Sequence, residues 1–304
     1  MQGDVWQKRG ERLIVEKKHR CVVIYLLGII AVILFAYVLL CFSRIGTTEY
    51  VMHSDKIDTP FRIILLADGH NAVFGDGNTQ LLHLIAEQSP DAILVVGDMV
   101  NGHELQTDSA EQLLRGLCGI APVYASYGNH EIRHEQEFGS DLHARYEACG
   151  AVMLEDEWQE IEIGGQAIRL GGIYGYCLPE SALATGEARI EECEYLRAFQ
   201  DTELFTLLMC HMPSGWNTFG GLDAWDINCV VAGHTHGGQI ILPLIGGVYA
   251  PDQGWFPGRV HGVFESEAQD STLIVSRGLG SSVSVPRIGN PPEVVVIDFF
   301  TDER

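Results

Sequence analysis

The stretch Phe61-Arg62-Ile63-Ile64-Leu65-Leu66-Ala67-Asp68-Gly69-His70 decides the fold. Six of its first seven residues are apolar and they do not alternate with polar ones, as in a strand buried on both faces. The run ends in a carboxylate and an imidazole. The pattern returns twice. Ala92 to Val96 leads into Gly97-Asp98, and Pro122 to Tyr127 leads into Gly128-Asn129-His130-Glu131. Between these runs, Gln80 to Gln88 puts Leu81, Leu84 and Ile85 on one helical face, and Ser109 to Leu117 reads as a second helix. This β-α-β-α-β order predicts an α/β core. In such cores, function gathers at the carboxyl ends of the strands.

The second half has a different texture. Glu135 to Cys149 reads as one helix closed by Gly150. Trp158 to Ile163 and Gln166 to Ile173 flank Gly164-Gly165, a hairpin signal. Arg189 to Gln200 reads as a helix, and Leu204 to Cys210 as an apolar strand ending in His211. Ile227 to Ala232 leads into Gly233-His234-Thr235-His236-Gly237-Gly238-Gln239. In an extended segment residues i and i+2 point the same way, so His234 and His236 are expected to face one point. Arg259 to Glu265, Thr272 to Ser276 and Glu293 to Phe299 complete a strand-rich end.

Cys21 to Phe42 is an uncharged apolar run of 22 residues. As a helix it spans roughly 33 Å, enough for a bilayer core. A cleaved signal peptide would have a shorter apolar region and a small-x-small site, and neither is present. The reading is an uncleaved anchor. Residues 1–20 carry six Lys/Arg against three acids, which by the positive-inside rule places them in the cytoplasm and the domain outside it. The division expected is a basic segment 1–20, an anchor 21–42, a polar tether 43–60 and one domain 61–304. Beyond residue 20 there are 13 basic and 38 acidic residues, a net of −25. That excess argues against a basic nucleic-acid groove and for solubility and a demand for cations. The eight cysteines show neither C-x-x-C spacing nor a dense disulfide framework; a disulfide or two in an exported domain stays open.

Asp68, His70, Asp98, Asn129, His130, His211, His234 and His236 form the candidate site. Singly, each has an ordinary reading: a loop cap, a turn residue, a satisfied histidine. Jointly, every core strand would have to end by chance in a nitrogen or oxygen ligand. The blocks Asp68-x-His70, Gly97-Asp98, Gly128-Asn129-His130-Glu131, His211 and Gly233-His234-x-His236 resemble the calcineurin-like metallophosphoesterase superfamily, over roughly residues 60 to 300. The extended Gly233 to Gln239 block and the tail Ser276-Arg277-Gly278-Leu279-Gly280, Pro286-Arg287-Ile288 and Pro292-Glu293 are similar to its membrane-associated bacterial branch. That branch includes general phosphodiesterases and hydrolases of UDP-diacylglucosamine.

The resemblance implies a four-layer α/β/β/α sandwich of two packed mixed sheets flanked by helices. It implies two divalent metal ions: Asp68, His70 and His236 hold the first, Asn129, His211 and His234 the second, and Asp98 bridges them. Nitrogen and oxygen ligands without thiolate suit Mn²⁺, Fe²⁺/Fe³⁺ or Zn²⁺. It further implies hydrolysis of phosphodiester or pyrophosphate bonds by a metal-bound hydroxide, with Asn129 and His130 meeting the substrate and His130, as imidazolium, assisting the leaving oxygen. Lipid-linked or nucleotide substrates fit an anchored enzyme. An exported domain would be poorly placed for a cytoplasmic UDP-2,3-diacylglucosamine. The competing class is a non-catalytic, metal-stabilised binding module of the same fold. Two departures stand out: Asn101 where the family often has a second acid, and Gly69 where a larger residue is common. Tyr174 to Ala188 and Pro243 to Pro257, the latter with Tyr249, Trp255 and Phe256, are the candidate selectivity segments.

Overall fold

The computed structural model describes residues 19–33, 35–37, 44–242, 244–250, 253–282 and 285–302. The strands are β1 Gly46–Ser54, β2 Phe61–Leu66, β3 Ala92–Val96, β4 Val123–Ser126, β5 Val152–Met153, β6 Glu157–Ile163, β7 Gln166–Ile173, β8 Phe205–Cys210, β9 Cys229–Ala232, β10 Gly262–Glu265, β11 Thr272–Val275 and β12 Glu293–Thr301. The domain's longer helices are α1 Thr79–Glu87, α2 Asp108–Cys118, α3 Asn129–Phe138, α4 Leu142–Ala148 and α5 Ile190–Gln200.

Two mixed six-stranded sheets result. The first has the order β1-β12-β2-β3-β4-β5, and the second β10-β11-β9-β8-β7-β6. In the first, β12 runs antiparallel to β2 while β2, β3, β4 and β5 are parallel. In the second, β10 and β6 are antiparallel edges on a parallel centre.

Alternation across each strand builds the layers. On β2, Ile63 and Leu65 join Leu94, Leu207, Met209, Val231 and Ile274 in the core between the sheets. Ile64 and Leu66 point the other way and pack with Leu81, Ile85, Leu113 and Leu117 of α1 and α2. The far face of the second sheet, with Leu208, Val230 and Val275, is covered by Leu196 and Phe199 of α5 and by Trp216 and Trp225. The order is helix, sheet, sheet, helix, as the resemblance implies. A fully buried Leu or Ile contributes about 1.5–3 kcal/mol, so the middle part of the core holds the two sheets together and the two outer parts hold the helices to them.

Three expectations are corrected. The expected tether carries β1, a nine-residue edge strand parallel to β12; its side chains alternate between half-buried and exposed, a period the polar composition hid. The expected helix 135–149 is two helices, with α3 starting at Asn129. Gly139, in the left-handed region (φ 63°), closes α3, and the Asp141 side chain accepts the Ala144 N–H at 2.9 Å to start α4. The third, at His234 and His236, belongs to the site.

One helix, His19–Tyr37, is long and apolar enough to cross a membrane, with a mean hydropathy of 2.4. The basic segment before residue 19 and the end of the expected anchor, including Cys41, lie outside the described residues. Among the described residues the cysteines are free thiols; Cys177 and Cys210 are buried with their sulfurs 3.6 Å apart.

Candidate metal centre

The site sits where parallel strands end. Asp68 follows β2, Asp98 follows β3, Asn129 follows β4, His211 follows β8 and His234 follows β9. The loops are joined by their backbones: Asp68 N–H donates to Gly97 O at 3.0 Å, His70 N–H to Asp98 O at 2.9 Å, and Gly233 N–H to His211 O at 3.1 Å. Close approach requires glycine at two points. At Gly97 (φ 72°) a Cβ would lie 2.5 Å from Gly128 N and 2.8 Å from His211 Nδ1, and at Gly128 it would strike the Asp98 carboxylate.

The candidate ligand residues adopt unusual backbone. Asp68, His70, Asp98, His234 and His236 all have φ between 46° and 69°. For residues with a Cβ this costs of order 1–3 kcal/mol each, and such strain collects at functional sites. It also corrects the reading of His234 and His236. Thr235 between them is helical (φ −81°, ψ −8°), not extended, and His236 opens a short 3₁₀ turn. The two rings therefore diverge instead of facing one point.

They diverge toward two clusters. Ligand atoms of Asp68, His70 and His236 lie within 4.8 Å of one another, as do those of Asp98, His211 and His234, and those of His70, Asp98 and His130. His70 Nε2 is 3.2 Å from His236 Nε2 and 3.9 Å from an oxygen of each of Asp68 and Asp98. His211 Nε2 is 3.1 Å from Asp98 Oδ2. Asn129 Oδ1 is buried without a hydrogen-bond partner. Lone pairs left without a donor, and ring nitrogens turned toward one another, are what a cation satisfies.

Charge and tautomer agree with that use. Burial pushes the His70 and His236 imidazoles down to about 3, so both rings are neutral at physiological pH, as a metal ligand has to be. Burial acts the same way on His211, but the Asp98 carboxylate overrides it and lifts that ring to about 10 in the metal-free chain. His211 Nδ1 donates to Val96 O at 2.8 Å, which leaves Nε2 as the nitrogen that faces Asp98. Cations beside Asp98 would displace the proton held there.

His130 differs from its expected form. Its Nδ1 accepts the Gly102 N–H at 2.8 Å, and burial lowers its pKa. The ring is thus neutral with its proton on Nε2, not an imidazolium. It stands edge-on to His70, with centroids 4.5 Å apart.

Residues beyond the candidate list hold these loops. Glu131 accepts N–H groups from Asp98, Met99 and Gly128 at 2.7, 2.8 and 2.9 Å. Asp68 takes the His234 N–H on both oxygens at 3.0 Å. Asn290 donates to His236 O at 2.6 Å, and buried Arg287 reaches His236 Nδ1 at 3.3 Å and the carbonyls of Arg277 and Gly280. Glu131 and Arg287 lie within the motifs that carry the family resemblance, and that was the available signal. Asn101 turns away and pairs with Glu104 at 2.9 Å, and Gly69 leaves space that the Met99 side chain fills. Of the two selectivity segments, Pro243 to Pro257 borders the site. A cleft of about 310 Å³ is lined by His236, Tyr249, Trp255 and Val285. Pro243, Pro251 and Asp252 of that segment lie outside the described residues.

Residues 61–238 match the model of the calcineurin-like phosphoesterase family. The chain belongs to this family. It is a metal-dependent phosphoesterase, and its histidine and aspartate clusters are the candidate positions for the two divalent metals of the dimetal phosphoesterases. It is 27% identical over 244 residues to phosphodiesterase YaeI of Escherichia coli, covering 79% of this chain and 82% of that protein. It is 25% identical over 279 residues to an uncharacterized metallophosphoesterase of Aquifex aeolicus, covering 88% and 97%. Among solved structures, a dimetal phosphatase from Danio rerio is similar over 73% of this chain and 88% of that one, with a TM-score of 0.42 and 15% identity.

Proposed function

We propose that this phosphoesterase is a membrane-anchored phosphodiesterase whose two metals are held as the sequence motifs imply. Asp68, His70 and His236 take one metal, Asn129, His211 and His234 the other, and Asp98 bridges them. The observation that carries this is that Asp68, His70 and His236 form one three-residue cluster and Asp98, His211 and His234 a second, with His70 Nε2 of the first 3.9 Å from Asp98 Oδ2 of the second. When bound, two divalent cations supply Lewis-acid polarisation of the phosphoryl group and acidify water. The chain's own residues do the rest. Neutral His70 and His236 present lone pairs, and Val96 O holds His211 in the ligating tautomer. Asn129 orients the substrate, and His130 Nε2–H donates to a phosphoryl or leaving oxygen, held in line by Gly102. The relative named a phosphodiesterase supports a diester over a monoester.

The helix His19–Tyr37 is the anchor in this reading, with the basic N-terminus cytoplasmic and the domain 61–304 outside. The substrate is then a phosphodiester or pyrophosphate accessible from the membrane surface, and a lipid-linked one fits that position. The test uses the full chain stripped of metal, with Mn²⁺, Zn²⁺, Fe²⁺ or Mg²⁺ restored singly. Bis-p-nitrophenyl phosphate and p-nitrophenyl phosphate are followed in parallel, with Asp98→Ala as control. Metal-dependent turnover that favours the diester and is lost in Asp98→Ala is expected. Absence of turnover with every metal, in a chain that binds two ions, counts against the proposal.

A further inference from the structure

Between the metal loops and β10 the chain changes character. From Gly237 to Gly258 there is a single charged residue, Asp252, in a chain that is 20% charged overall. The segment folds as two short antiparallel ribbons, Ile241–Leu242 with Gly246–Gly247 and Tyr249–Ala250 with Gly254–Trp255. Their tips present Leu242, Leu244, Ile245, Tyr249, Trp255 and Phe256 to the outside; Leu244 is fully exposed and Trp255 is 72% exposed. Tyr249 and Trp255 pack edge to face, with centroids 5.3 Å apart. Contiguous apolar surface of this kind marks a contact that the isolated chain does not make.

The position of the N-terminal helix says which contact. The Tyr37 hydroxyl, at the end of that helix, lies against Gly289, 3.4 Å from where a side chain there would begin. Gly289 adjoins Ile288, whose carbonyl accepts the Ile241 N–H at 2.8 Å at the base of the first ribbon. The helix therefore meets the domain at the root of the apolar loop. Eight residues, 38–45, separate Tyr37 from the start of β1, a reach of at most about 30 Å. A chain with a net charge of −25 beyond residue 20 is repelled by anionic headgroups, so the face that approaches a bilayer has to be one nearly free of acid. Tyrosine and tryptophan settle at the headgroup level, with aliphatic neighbours just below.

We infer that Leu242, Leu244, Ile245, Tyr249, Trp255 and Phe256 rest in the interfacial layer of the bilayer that the N-terminal helix crosses, so that the cleft beside His236 opens at the lipid surface. The inference deepens the anchored reading above and rests on it. It places substrate phosphorus at headgroup depth, and it explains why an apolar cleft borders a metal centre.

The test places the full chain in phosphatidylcholine vesicles with plain or brominated acyl chains. Emission from wild type minus that from Trp255→Phe isolates Trp255. The expected result is flotation with the vesicles, at least two-fold quenching of the Trp255 component by brominated lipid, and no quenching by aqueous iodide. Leu244→Asp with Ile245→Asp should return at least half of that emission; quenching that persists in the double variant overturns the assignment of this loop as the contact. Flotation without quenching overturns the inference and leaves the anchor intact. Failure to float overturns both. Bis-p-nitrophenyl phosphate turnover on the same vesicles reports the phosphoesterase reading separately.

Discussion

Glu131 Oε2 accepts the backbone N–H of Asp98 at 2.7 Å, across 33 positions of chain. The same carboxylate takes Met99 N–H, Gly128 N–H and the Tyr146 hydroxyl. It thereby fixes the left-handed turn at Asp98 and ties it to the Asn129 loop. Glu131→Ala leaves buried N–H groups without an acceptor and should cost about 3 kcal/mol or more. Thermal unfolding of the metal-free chain measures it; a change under about 0.5 kcal/mol, the range of ordinary surface substitutions, would contradict the assignment.

In the proposed mechanism His130 works through Nε2, because the Gly102 N–H occupies Nδ1. His130→Gln keeps a donor but not its geometry. It should lower kcat about 10²–10⁴-fold with a smaller effect on KM. Protonating Nδ1 at low pH breaks the bond to Gly102, so activity in the wild type should fall on the acid side, and His130→Gln should lack that limb. An unchanged acid limb in the variant would assign it to another group.

Glu155 offers a pH test away from the ligands. Burial pushes its carboxyl up to about 7, opposed by the Tyr127 N–H it accepts at 3.0 Å. In the unfolded chain it ionises near the ordinary glutamate value of 4.5, so between these values the unfolded state sheds its proton first. Stability from this group is intact below pH 4.5 and falls as pH rises to about 7, by up to ~3 kcal/mol. Glu155→Gln should therefore stabilise the chain at pH 8 and change little at pH 4.5. Equal effects at both values would refute the shift.

Gly97→Ala puts a methyl against Gly128 N and His211 Nδ1 at a positive φ. Loss of about 1–3 kcal/mol is expected from backbone strain, with weaker metal binding as His211 is pushed from the Val96 carbonyl. Calorimetric metal titration of the variant checks this; wild-type affinity would show that the loop yields without moving His211.

The sequence showed much of this architecture, for reasons that differ by element. β2, β3, β8 and β9 are buried on both faces, so their apolar runs are continuous and their ends are marked by ligands. The break between α3 and α4 was hidden because Glu135 to Cys149 keeps helical composition across Gly139. β1 was hidden because an edge strand buries one face only partly. The direction of His234 and His236 depended on three φ values that no spacing reveals. Glu131, Asn290 and Arg287 act through backbone groups of distant loops, and those partners are set by tertiary packing.

In the proposed two-metal site, catalysis needs both ions. The direct measurement titrates the metal-free full chain with Mn²⁺ while recording bound metal and bis-p-nitrophenyl phosphate turnover together. The account predicts two ions bound per chain, turnover that lags through the first equivalent and rises with the second, and neither full occupancy nor turnover in Asp98→Ala. Full turnover at one equivalent, or turnover in the chelated chain, would contradict it.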